Sequence, residues 1–447
     1  MKVVFNDKIK TNTLYYPLDN PWNDTKPHPL LISGLIRKIL LAVLILAFNV
    51  SRSGLIAQQK SIHPNSNEAV HHKHDTTRAG QTDIRDIIRE GLKLKGKPDS
   101  TRMKGEGPFF SVIPMVGYSL MSGLTGVLSA STSFYTSQDR NRYSNILFNA
   151  YYSQYNQFWT TINSNIFIEK RKLHLYGDWR YYNFPTNTFG LGSASTFADE
   201  LKVQYYYIRF YQVLYREITE NFFAGLGYNL DYHWNIRENP PSGPVYDQIM
   251  MLQDNNKSVS SGISFNMQFD TRKNSVNPLS GTLVSLQFRQ NLAWLGSDRD
   301  WDSFILDIRK FVRLPASSGN VLAFWSYNNL TMAGEPPYFD LPSTGWDNYN
   351  NTGRGYVPGR YTGKNLLYGE MEYRMALTRN GLFGCVAFCN AETVFRKFTE
   401  SGMKILPGAG MGLRIKVNKN SGANLAIDYG FGVDGSKGLF VNLGEVF

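Results

Sequence analysis

The stretch Ile263-Ser264-Phe265-Asn266-Met267-Gln268-Phe269-Asp270 carries the pattern on which most of the chain is built. Apolar side chains at Ile263, Phe265, Met267 and Phe269 alternate with Ser264, Asn266, Gln268 and Asp270, the period of two of a β-strand with one oily and one wet face. The split recurs with Leu173, Leu175, Gly177, Trp179 and Tyr181 against Lys172, His174, Tyr176, Asp178 and Arg180. Later Met411, Leu413, Ile415 and Val417 oppose Gly410, Gly412, Arg414 and Lys416, and Leu425, Ile427, Tyr429 and Phe431 oppose Asn424, Asp428 and Gly430.

Following the same alternation in both directions, strands are expected at 110–119, 123–135, 142–153, 156–168, 172–184, 201–216, 220–234, 257–270, 281–292, 300–313, 320–332, 364–377, 382–395, 404–416, 422–432 and 437–447. The number is even, and the connections are asymmetric. Glu169 to Arg171 and Val417 to Ser421 are short, whereas 185–200, 235–256 and 333–363 are long. A soluble sandwich would keep its turns similar at both ends. Short periplasmic turns with long outer loops describe a bacterial barrel. The expected fold class is therefore all-β, a transmembrane antiparallel β-barrel of about sixteen strands over residues 107–447, in the outer membrane of a Gram-negative cell with both termini in the periplasm. In lipid each backbone amide needs a partner, so the strand ending at Phe447 is expected to close against the first.

Composition agrees with one large barrel in the 447-residue chain. Aromatic residues make up 14% of it, mean hydropathy is −0.32, and no apolar run has the length of a membrane-crossing helix. The net charge of +11 comes from Lys and Arg scattered among aromatics, which points to lumen and rim chemistry and away from nucleic acid. Cys385 and Cys389 would lie roughly 13 Å apart on one strand, too far to pair. No Cys/His spacing suggests zinc, and neither a metal nor a cofactor is expected.

Toward the N-terminus, Arg37 and Lys38 precede an apolar core from Ile39 to Phe48, and cleavage is expected near Ala57 or Gln58. Residues 1–58 read as an export signal with a long leading segment, too short in its apolar core to span a bilayer of roughly 30 Å. Residues 59–106 read as a flexible periplasmic linker carrying one short helix over Thr82–Leu92, with Thr82 and Asp83 placed to cap it. His71, His72 and His74 sit in this linker without preorganised geometry for a metal.

Three motifs resemble the BamA/TamA-like outer-membrane barrel superfamily, also called the bacterial surface antigen family. Thr352-Gly353-Arg354-Gly355-Tyr356, with Gly359-Arg360-Tyr361 and the strand Tyr368-Gly369-Glu370-Met371-Glu372-Tyr373-Arg374, is similar to the family's loop-six Arg-Gly-aromatic signature. This loop joins the eleventh and twelfth expected strands, where the family keeps it. Asp270-Thr271-Arg272 with Pro278 and Gly281 is similar to the turn before the family's ninth strand, and Gly408 to Phe447 to its closing strands. The resemblance implies a luminal loop locked by Arg354 onto an acid in a Phe-x-Asp-x-Gly motif of the thirteenth strand. Here the matching stretch is Phe388-Cys389-Asn390-Ala391-Glu392, so Asn390 stands in place of the acid and Glu392 in place of the glycine. Glu392 shares the face of Asn390 and is the preferred partner, followed by Glu370 and Glu372. A member without the family's periplasmic POTRA domains is expected.

The resemblance to such barrel-only members leaves their role open, and the first expectation is assisted insertion of proteins into, or translocation across, the outer membrane. The route would be a seam between the first and last strands, weakened by Gly438 and Gly444 and ending at Phe447. Expected partners are outer-membrane lipids including lipopolysaccharide, unfolded outer-membrane or secreted clients, and a periplasmic or surface partner. The alternative is a passive or loop-gated channel for small solutes. An enzyme acting on lipid is not expected, because the barrel histidines His174 and His233 lack an accompanying serine motif.

Overall fold

A computed structural model describes residues 81–84, 86–87, 108–119, 122–136, 144–168, 172–253, 256–316, 318–347, 350–399, 402–419 and 422–447. The described residues form one sheet of seventeen strands. They run β1 (Phe109–Ser119), β2 (Gly123–Phe134), β3 (Ser144–Ser153), β4 (Phe158–Ile168), β5 (Leu173–Asn183), β6 (Thr186–Thr188), β7 (Leu201–Thr219) and β8 (Phe222–Asn239). After helix α1 (Pro244–Leu252) come β9 (Lys257–Asp270), β10 (Gly281–Asn291), β11 (Trp301–Arg313), β12 (Val321–Gly334) and β13 (Asn365–Ala376). The last four are β14 (Phe383–Phe395), β15 (Leu406–Asn418), β16 (Ala423–Phe431) and β17 (Lys437–Leu443). Apart from the three-residue β6, which pairs with β7, these are the sixteen expected strands, each overlapping its expected span.

Every consecutive pair of long strands forms an antiparallel ladder, from Phe109↔Ser133 at the β1–β2 pair to Phe431↔Lys437 at the β16–β17 pair. The alternation inverts that of a soluble protein. On β9, Ile263 and Phe265 are 48% and 40% exposed while Ser264 and Asn266 are 2% exposed, so the oily face points outward and the polar face lines a packed lumen. With β1 and β17 at the two edges, the start of β1 and the end of β17 lie at the end of the short turns. The connections 184–200, 240–256 and 335–364 lie at the opposite end.

Three features differ from the sequence expectation. First, no ladder joins β1 to β17 among the described residues, although the strands run side by side: a Cβ placed on Gly117 would stand 4.0 Å from the main-chain oxygen of Val441. Second, β17 stops at Leu443. Gly444 takes a φ of +105°, a conformation glycine reaches without a Cβ clash, and turns residues 445–447 into the lumen, where Val446 and Phe447 are buried. A period-two pattern cannot distinguish a strand that stays in the wall from one whose last residues turn inward. Third, α1 and β6 arise within long loops that showed no strand alternation; α1 buries Val245, Ile249 and Leu252 against the lumen core.

The expected export signal, the histidines at 71, 72 and 74 and most of the linker lie outside the described residues. Of the expected helix, Ile84, Asp86 and Ile87 are helical, and Asp83 and Asp86 each accept the other's backbone N–H, at 3.1 and 3.2 Å. This described segment is anchored, not free. Thr82 N–H donates to the Asn380 carbonyl at 2.9 Å, and Lys419 gives its N–H to Asp83 and its Nζ to Asp86, at 3.0 and 2.7 Å.

Candidate functional site

The long connection between β12 and β13 enters the lumen carrying its own backbone hydrogen bonds, which is what a buried loop requires. The Asp347 carboxylate accepts the N–H groups of Asn351 and Thr352, both at 2.8 Å. Thr344 N–H donates to Tyr361, and Gly359 N–H to Thr344, closing the loop into a hairpin-like arm. Gly353 and Gly355, with φ of +74° and +112°, turn the chain on either side of Arg354 and aim its guanidinium at the wall.

Arg354 is 2% exposed and meets three carboxylates. Its Nη2 pairs with Glu370 and, at 2.5 Å, with Glu372; its Nη1 donates to Asp428 at 2.7 Å. The guanidinium lies over the Phe388 ring, 3.7 Å from the centroid. A planar five-donor fork can hold three acids and stack at once, which a lysine cannot. The wall makes room through Gly430 on β16, where an added Cβ would stand 2.7 Å from the Gly355 nitrogen.

The lock continues beyond the loop. Arg374 donates to Glu372 at 2.5 Å, and Arg414 bridges Asp428 and, at 2.8 Å, Glu445 of the inturned C-terminal tail. Burial alone would raise the Glu445 carboxyl, but Arg374 and Arg414 hold it below the ordinary glutamate range. Arg374 also donates to the main-chain oxygen of Phe447, whose ring stacks on Trp325 at 5.2 Å. Asn351 of the loop donates to the Val446 carbonyl at 2.7 Å. One connected set of charges therefore ties the luminal loop, the barrel wall and the residues after the last strand.

Several sequence-named residues fall elsewhere. Glu392 does not reach Arg354: its Oε1 accepts from Thr344 at 2.7 Å, and it sits in register with Tyr368, two rows from the Glu370–Asn390 pair on the same face. Asn390 touches the loop through its amide, which donates to the Arg354 carbonyl at 3.0 Å. Glu370 and Glu372 hold the guanidinium, and Asp428 is the partner that sequence reasoning missed. Its luminal parity was legible; its depth was not. Tyr356 donates to the Pro407 carbonyl at 2.6 Å and packs edge-on to Tyr361. In the turn motif, Asp270 takes the Arg272 guanidinium in a two-point contact at 3.0 and 2.9 Å. Gly281 has a φ of +115°, and Pro278 is buried. Gly438 pairs with Gly430.

Both barrel histidines sit among lumen side chains. Ser258 Oγ and Asp340 Oδ1 both approach His233 Nδ1, at 3.5 and 3.7 Å. His174 contacts Asn165 at 3.2 Å and stacks on Phe167.

A family model described as the Omp85 superfamily domain matches residues 127–447. Among solved structures, BamA from Haemophilus ducreyi lacking POTRA domains 1–3 is similar at a TM-score of 0.51 and 15% identity, over 75% of this chain and 70% of that one. CdiB from Acinetobacter baumannii gives 0.50 at 13% identity over 76% and 60%. CdiB from Escherichia coli gives 0.51 at 11% identity over 76% and 68%. No curated protein sequence matches.

Proposed function

Given that this chain belongs to the Omp85 superfamily and is an outer-membrane β-barrel protein, we propose that it assists insertion of client proteins into, or their translocation across, the outer membrane through the β1–β17 junction. The observation that carries this reading is that junction itself: it is the only neighbouring pair of long strands without a ladder among the described residues. Unpaired backbone groups facing lipid cost several kcal/mol each, so this line is the one most easily parted. Its two edges are also strand-pairing surfaces of the kind that accept an added strand. The termini and short turns face the periplasm, the long loops face outward, and the oily belt contacts outer-membrane lipids including lipopolysaccharide. A periplasmic or surface partner would deliver or receive the client.

The test is assisted folding. Purified protein is reconstituted in lipid vesicles, and a urea-denatured outer-membrane protein is added at a lipid composition where it inserts slowly alone. Faster appearance of the heat-resistant folded band is expected. A rate equal to that of empty vesicles would sink the reading.

A further inference from the structure

Apart from the Arg354 lock, the lumen holds a second built site. A cavity open on one side lies between the turn Tyr338–Asp340 and the inner walls of β5 to β8 and β10 to β12. No charged residue of the lock lines it. Its lining includes the aromatic side chains Tyr182, Tyr205, Tyr207, Trp301 and Trp346, with Gln287, Ser303 and Asn329 as polar groups. Ring faces with a few convergent polar groups are the usual make-up of a small-molecule site.

The charges around this cavity do not cancel pairwise. Asp178 is held in a two-point contact by Arg180, at 2.8 Å on both oxygens. Asp231 accepts from Arg289 at 2.6 Å and from the hydroxyls of Tyr207 and Tyr211 at 2.5 and 2.6 Å. Arg209 is shared between the two: its Nε donates to the Tyr207 hydroxyl at 2.7 Å and stands 3.5 Å from Asp231, while its Nη1, ion-paired with Asp178 at 3.6 Å, makes no hydrogen bond. The third acid, Asp340, is pushed up to about 7 by its burial and by the neighbouring Asp231, and its Oδ2 is taken by Ser260. A second unsatisfied group points to the same place. Tyr182 is 2% exposed, lines the cavity, and its hydroxyl has no hydrogen-bond partner.

We propose that this cavity binds a small sugar acid, its carboxylate on Arg209, its hydroxyls on Tyr182 and the polar wall groups, and its ring against the aromatic faces. A guanidinium whose Nη1 makes no hydrogen bond matches a carboxylate. The amide and hydroxyl groups along the wall suit a hydroxylated ring better than a flat aromatic acid, which would leave them unpaired. This inference is independent of the client-insertion reading, since the cavity is not at the seam.

The test uses the full-length barrel in detergent with glucuronate as probe, read by calorimetry and by Trp fluorescence. Saturable glucuronate binding is expected, with glucose and benzoate each weaker by roughly tenfold or more. Arg209→Gln should lose a similar factor, and Tyr182→Phe a few-fold, while heat-resistant migration is retained. Absence of saturable glucuronate binding overturns the proposal, as does benzoate binding equally well. If Arg209→Gln fails to fold, Tyr182→Phe decides: an unchanged affinity overturns the assignment.

Discussion

Replacing Arg354 by Ala should release the luminal loop without unmaking the barrel. The guanidinium meets Glu370, Glu372 and Asp428, all three essentially withdrawn from solvent. Its loss does not strand them equally. Glu372 keeps Arg374, and Asp428 keeps Arg414, but Glu370 is left with the Tyr368 hydroxyl alone. Breaking a buried pair by removing one member costs about 3–5 kcal/mol, chiefly through the orphaned charge. At about 1.4 kcal/mol per decade, the docked population relative to the undocked one should fall by roughly two to three and a half decades. When opening is fast relative to cleavage, proteolysis follows the open population, so cleavage within 335–364 should accelerate by a comparable factor until opening becomes limiting. Heat-resistant migration on gels should persist, because the ladders do not involve this side chain. Adding Glu370→Gln to Arg354→Ala should recover part of the protection, since it removes the stranded charge. Loop protection unchanged in Arg354→Ala would refute the lock, and no recovery in the double mutant would refute Glu370 as the orphan.

Other outcomes follow from the same geometry. Glu392→Gln should leave the loop docked, changing its stability by no more than about 1 kcal/mol, because the carboxylate meets only Thr344; a loosened loop in the protease assay would contradict this. Gly430→Ala should weaken docking by about 1–3 kcal/mol, since its Cβ would stand 2.7 Å from the Gly355 nitrogen, and loop proteolysis at intact heat-resistant migration would show it. Docking of Tyr338–Asp340 should tighten in acid. Asp340, facing Asp231, His233, Arg209 and Arg289, is raised to about 7 from its ordinary 3.8. The docked state therefore holds the proton more tightly and gains stability as pH falls through about 7. Loop proteolysis should slow between pH 8 and pH 6, and Asp340→Asn should remove that dependence; a loop that loosens over this range would contradict the assignment.

The fold was legible in the sequence because one signal, alternation with period two, runs through every long strand and also fixes which face each residue occupies. Glu370, Glu372, Arg374, Arg414 and Asp428 all carry luminal parity in the amino-acid pattern alone. What alternation does not carry is depth. The stagger between neighbouring strands decides which luminal residues share a level, and it belongs to the barrel as a whole. That is why Glu392, chosen by its position in a family motif, gave way to Glu370, Glu372 and the unforeseen Asp428. The inturned tail was hidden for a related reason. Gly444-Glu445-Val446-Phe447 reads as the continuation of an alternating strand, and only the positive φ of Gly444 and the contacts of Glu445 and Phe447 place it in the lumen. Helix α1 and the cavity beside Tyr338 depend on loops whose packing partners lie on distant strands.

Whether clients use the β1–β17 junction can be decided by a covalent clasp across it. In a chain carrying Cys385→Ala and Cys389→Ala, cysteines introduced by Gly117→Cys and Asn442→Cys would sit on the luminal side of the two adjoining strands. Reconstituted in vesicles, the oxidised protein should lose assisted folding of the denatured client and regain it on reduction, while the same chain without the two new cysteines is indifferent to oxidant. Full activity with the clasp demonstrably closed would contradict a route through the junction.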